Sequence, residues 1–158
     1  MVNNSLSDAN KLISERLQNL SSSSQSDSKS VVFSASGGQL SSGQGLRFMV
    51  FSNLHVNTGN GYDTVSGVFT VPVEGEYLFT ASVQKTDTGN DFIRCYIQKN
   101  GRDLVLMYSK GVFPGDSPSA SNSVIINGKL GDRFQVGQCT GADSPLPRGT
   151  TFSGVLLH

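Results

Sequence analysis

The sequence predicts an antiparallel all-β domain, a sandwich or barrel, preceded by a short helix. Three observations lead there. Apolar residues alternate with polar ones over most of the chain from Val31 onward. Turn residues punctuate the chain at near-even spacing, with 18 Gly among 158 residues. Finally, no stretch of helical period long enough to cover a parallel sheet follows Gln25, which excludes Rossmann and TIM architectures.

The strands follow in order. Val31, Phe33 and Ala35 alternate with polar neighbours. Phe48, Val50 and Ser52 alternate against Met49 and Phe51, so both faces of that stretch are partly apolar. Val68 to Val71 runs into Pro72, which lacks the ladder donor and belongs at a strand end. Tyr77, Phe79, Ala81 and Val83 share a face and supply much of the core. Phe92 to Lys99 is followed by Asn100-Gly101, the strongest hairpin signal in the chain, with Leu104, Leu106 and Tyr108 on the return strand. Val124, Ile126, Leu130, Phe134, Val136, Phe152, Val155 and Leu157 complete roughly eight to ten strands. Gly131-Asp132 reads as a turn, and Gly154 lets a neighbouring ring or backbone approach closely.

Residues 1–30 have a different pattern. Leu6, Ile13 and Leu20 are seven apart, and Leu17 lies four beyond Ile13. This predicts an amphipathic helix over residues 1–20, then a Ser-rich linker over 21–30 and the β domain over 31–158. The helix either docks on its own domain or forms a coiled-coil stalk. The linker composition favours the stalk.

Composition narrows the function. Lys+Arg and Asp+Glu both number 12, so the net charge is zero, and nucleic-acid binding by phosphate neutralisation has no support. No apolar run is long enough to span a bilayer as a helix. The first residues carry no signal peptide, so the chain is either cytosolic or begins after a removed signal. The sequons Asn3-Asn4-Ser5 and Asn19-Leu20-Ser21 point weakly to secretion. The two histidines, His55 and His158, show no nucleophile elbow or Cys-His spacing, and the residues read as non-catalytic.

Several stretches recur in a recognisable order: Phe33-Ser34-Ala35, Val50-Phe51-Ser52-Asn53, Gly61-Tyr62-Asp63, Gly67-Val68-Phe69-Thr70-Val71-Pro72, Gly75-Glu76-Tyr77-Leu78-Phe79, Asn100-Gly101, Leu130-Gly131-Asp132-Arg133-Phe134 and Phe152-Ser153-Gly154-Val155-Leu156-Leu157. Together they resemble the complement C1q-type globular domain over residues 31–158. The resemblance implies a ten-stranded jelly roll shared with tumour necrosis factor ligands and assembled as a homotrimer. It also implies a secreted, lectin-like recognition protein for glycans or microbial surfaces, as in pattern recognition by innate immunity. A matrix component or a receptor ligand of the tumour necrosis factor type are the other expectations. No collagen repeat precedes the domain. Phe48, Phe51 and Phe92 are candidates for the subunit contact.

Some members of that family bind calcium in the loop before the Ser-Val strand. Here that loop, Lys110 to Asn122, holds one acid, Asp116, and a lysine stands where an acid is expected. Calcium takes six to eight oxygens, so no cofactor is expected from this loop. Asp87 and Asp91 could form a different weak calcium site, and otherwise read as a solvated turn. The resemblance makes the strands of Cys95 and Cys139 neighbours, which allows a disulfide. Cys95 shares a face with Ile93 and Ile97. Cys139 is out of phase with Phe134 and Val136 by one residue, which argues for two separate buried thiols.

Overall fold

A computed structural model describes residues 3–24, 30–43, 46–86, 92–141, 145 and 147–158. The helix α1 covers Asn3–Ser24. It therefore runs four residues into the serine stretch expected to be linker, and the rest of that stretch lies mostly outside the described residues. Ten strands follow: β1 Val32–Gly43, β2 Leu46–Thr58, β3 Tyr62–Asp63, β4 Val68–Thr70, β5 Gly75–Gln84, β6 Phe92–Lys99, β7 Arg102–Lys110, β8 Ser119–Gly128, β9 Arg133–Thr140 and β10 Thr151–Leu156.

All pairings are antiparallel and form a two-layered jelly roll. One layer has the order β2-β1-β10-β5-β8, and the other β3-β4-β9-β6-β7. The layers meet where Phe48 of β2 pairs with Gly137 of β9. Across the layers Phe33 stacks with Tyr62 and Phe69, Phe79 stacks with Phe134 at a ring separation of 4.1 Å, and Phe152 meets Tyr62 edge-on. Burying each such ring is worth roughly 1.5 to 3 kcal/mol, which makes this aromatic seam the main apolar support of the fold.

Local chemistry fixes the connections. Asn100 and Gly101 take φ values of 51° and 77°, as a type I′ turn requires, and join β6 to β7. The Asn100 side chain also accepts from Arg133 N at 2.9 Å and donates to Asp132 at 2.9 Å, tying the hairpin to β9. Asp132 further accepts from Lys129 N and pairs with Lys99 at 2.8 Å. Those hydrogen bonds, led by the Lys99 contact, hold its carboxyl well below the usual carboxylate range. Gly154 sits where a Cβ would lie 2.5 Å from Phe33 Cε1 and 2.7 Å from Phe79, so the close approach read from the sequence is to two core rings.

Several expectations are corrected. Phe51 is fully buried in the core and cannot serve a subunit contact. Phe48 and Phe92 remain partly exposed. Leu130 belongs to an exposed turn rather than a strand. The return strand of the hairpin lies where the sequence placed it, as β7, with Met107 facing inward and Leu106 and Tyr108 outward.

Cys95 and Cys139 form a disulfide across β6 and β9, with Cα atoms 4.2 Å apart. The parity objection fails because β9 carries a bulge: Arg94 pairs with Thr140 but Tyr96 with Gly137. Two residues of β9 thus oppose Cys95, and Gln138 absorbs the extra residue at a φ of 51°. The bulge reverses the alternation after Val136 and turns Cys139 inward.

Candidate functional site: a charge-free sheet face

The outer face of the β1-β10-β5-β8 layer is built by the residues between the core positions. Strand register arranges them in rows. Val32, Val155, Leu78 and Ile125 stand side by side across four strands. The next row is Ser34, Ser153, Thr80 and Ser123, and the third is Ser36, Thr151, Ser82 and Ser121. None of these positions carries a charge. Glu76, at the end of the same layer, lies 2.6 Å from His158 Nε2.

The hydroxyl rows bond within the sheet. Ser153 Oγ donates to Ser34 Oγ at 2.9 Å, and Thr80 Oγ1 lies 3.0 Å from Ser123 Oγ. Paired hydroxyls lose less on leaving water than unpaired ones. A depression of about 200 Å³ lies above Gly154, lined by Val32, Leu78 and Val155 together with Ser34, Thr80 and Ser153. Ile125, 62% exposed in the single chain, extends the apolar row to the edge strand. With one apolar row beside two rows of hydroxyls and no charge among them, this face has the chemistry of a protein interface rather than of a catalytic cleft.

The other sequence candidates fall elsewhere. Asp116 accepts from Val112 N at 2.7 Å and Phe113 N at 2.8 Å, so its carboxylate braces its own turn, and these bonds lower its pKa. Among the described residues no three metal-ligating side chains cluster. Asp87 and Asp91 lie outside the described residues. His55 Nε2 is 2.8 Å from Ser36 Oγ on the exposed sheet surface. Leu6, Ile13 and Leu17 are all more than half exposed along α1, and Leu20 lies on the same helix. Neither the charge-free rows nor the bulge was read from the sequence. Both depend on register between distant strands.

The chain is thus a two-layered antiparallel jelly roll in which three successive rows of one outer face carry no charge. A family profile described as the C1q domain matches residues 18–157, and the chain belongs to that family. Complement C1q tumor necrosis factor-related protein 3 of Homo sapiens is 33% identical over 110 residues, covering 69% of this chain and 44% of that protein. Caprin-2 of Danio rerio is 32% identical over 113 residues, covering 70% of this chain and 12% of that protein. The chain therefore spans less than half the length of these curated relatives. Among solved structures, murine APRIL superposes with a TM-score of 0.63 at 17% identity, over 82% of this chain and 100% of that one. The globular domain of zebrafish complement 1qA superposes with a TM-score of 0.59 at 16% identity, over 82% and 98%. At those identities the likeness concerns the fold. No helix among the described residues is long and apolar enough to cross a membrane.

Proposed function

We propose that the chain is the recognition head of a secreted, non-catalytic homotrimer that binds glycans or microbial surface ligands. The observation that carries this reading is the charge-free face of β1, β10, β5 and β8. A face of this composition gains from being covered by a like surface, and closed cyclic symmetry covers three copies without leaving an edge. The buried Cys95–Cys139 disulfide supports an oxidising compartment, since such bonds are rare in reducing cytosol. Three heads joined at one face present three copies of any ligand site, raising weak single-site affinity by effective concentration. The exposed Leu6, Ile13 and Leu17 stripe of α1 would add a stalk that holds the copies together.

A second reading, a receptor ligand of the tumour necrosis factor type, is supported by the fold likeness to APRIL and by the exposed Val112 and Phe113 loop. The discriminating experiments are sedimentation velocity and a glycan array. The parent protein is expected to sediment as a trimer at micromolar concentration and to bind glycans. Ile125→Asp, at a position exposed in the single chain, is expected to give a folded monomer. A parent that sediments as a monomer removes the assembly argument. A trimer that binds no glycan and no bacterial surface leaves the receptor-ligand reading.

A further inference from the structure

The opposite layer carries a polar cleft that the assembly face does not use. It lies on the outer side of β9 and β6, beneath the Asn100-Gly101 turn. A cavity of about 450 Å³ is lined by Asn100, Gly101, Arg133 and Gln135. It adjoins a smaller recess of about 80 Å³ reached by Arg47, Phe48, Gln98 and Gln138, with Gly101 and Gln135 common to both. The larger volume falls within the range of about 300 to 1,000 Å³ usual for small-ligand sites.

Its side chains are held in place from behind. Gln98, buried among β-strand neighbours, donates from Nε2 to Asp103 at 2.7 Å and accepts on Oε1 from Gln135 Nε2 at 3.0 Å. Gly137 makes room for that amide, because a Cβ there would overlap Gln98 Oε1. Gln135 is thereby fixed with its carbonyl Oε1 still free to accept among the described residues. Arg133 is anchored through its backbone N–H, which donates to Asn100, and its guanidinium makes no ion pair with a described residue. The two neighbouring carboxylates are already engaged, Asp103 by Gln98 and Asp132 by Lys99.

The cleft thus offers a guanidinium fork for an anion and a fixed acceptor for a hydroxyl, with the Phe48 ring at one end. A carboxylate matches the fork in two parallel hydrogen bonds. The amide acceptor selects against a bare sulfate, which has no donor to give it. A pyranose bearing both a carboxylate and hydroxyls answers every group. The geometry points to a uronic-acid saccharide as the ligand of this cleft, an inference that rests on the glycan-binding reading above and names the sugar class. Because the cleft faces away from β1, β10, β5 and β8, it stays open when those faces are covered.

The test is titration calorimetry on the full chain with trigalacturonate, and with galactotriose as the uncharged counterpart. Trigalacturonate is expected to bind at least tenfold more tightly than galactotriose. Arg133→Gln is expected to weaken trigalacturonate at least tenfold, and Gln135→Ala severalfold. Arg16→Gln, on α1 and not among the residues that line the cleft, should leave binding unchanged and controls for net charge. Arg133 and Arg16 are exposed, so the fold is not at stake. The inference is overturned if trigalacturonate does not bind, if both sugars bind equally, or if Arg133→Gln has no effect beyond that of Arg16→Gln. In those cases glycan binding elsewhere on an array leaves the broader reading standing. Binding to no glycan and to no microbial surface removes both.

Discussion

Removing the Cys95–Cys139 bridge has a worked magnitude. The two residues are 44 apart in sequence, and the loop-entropy account of a cross-link of that span gives about 4 kcal/mol. For a domain of this size, that corresponds to a fall in Tm of roughly 8 to 16 °C. Either cysteine alone closes nothing, so Cys95→Ala, Cys139→Ala and the double variant should lose the same cross-link contribution. The second substitution should add only the small cost of trimming a buried side chain. Such strong non-additivity is the signature of a shared bond. The assay is thermal denaturation followed by circular dichroism at one fixed protein concentration, because assembly makes Tm concentration-dependent. Thiol titration of the parent in denaturant without reductant should find no free thiols among these two residues. Two titratable thiols per chain, or a double variant melting within about 2 °C of the parent, would refute the bridge and the bulge argument behind it.

Three further outcomes are expected. Gly154→Val drives a side chain into Phe33 and Phe79, and should destabilise the domain by about 1 to 3 kcal/mol in urea melts. Tyr62 donates to Phe51 O and accepts from Phe51 N, each at 3.1 Å, and burial pushes its hydroxyl up to about 12. A raised folded-state value means its contribution is complete below pH 10 and lost as pH rises through 12, so stability should fall on that limb. Tyr77, also raised by burial, adds to the same loss. Tyr62→Phe should reduce the alkaline slope and cost about 1 to 3 kcal/mol at neutral pH by leaving the Phe51 backbone groups unpaired, as read by chemical denaturation across pH. Deleting residues 1–28 should leave a cooperative calorimetric transition while weakening self-association, whereas a molten truncated protein would make α1 part of the core.

Strand alternation made Phe33, Tyr77, Phe79 and Phe134 readable as core, because a half-buried strand writes its burial directly into sequence. Asn100-Gly101 was readable because few residues accept both φ values of its turn. Phe51 was misplaced because β2 is apolar on both faces, and alternation alone does not say which face is inside. Cys139 was placed on the wrong side because a bulge erases phase, and nothing in Gly137-Gln138 marks one. The serine and threonine rows of the outer face looked like scattered polar residues. Only the register between β1, β10, β5 and β8, strands far apart in the chain, reveals them as one surface. The cleft below Gln98 is invisible for the same reason: Arg47, Gln98 and Arg133 come from three separate strands.

The hydroxyl pairs Ser34–Ser153 and Thr80–Ser123 also bear on the interval before any partner is met. A newly folded subunit of the proposed trimer would spend time alone at low concentration before meeting two others. A broad hydrocarbon patch would make that interval hazardous, since such a surface sticks to whatever it touches first. Here the apolar row is narrow and flanked by hydroxyls that wet readily, yet those hydroxyls need no new partner when water leaves. The same surface is therefore tolerable in solution and inexpensive to cover. This lets the lone subunit wait without aggregating and still commit once a matching face arrives.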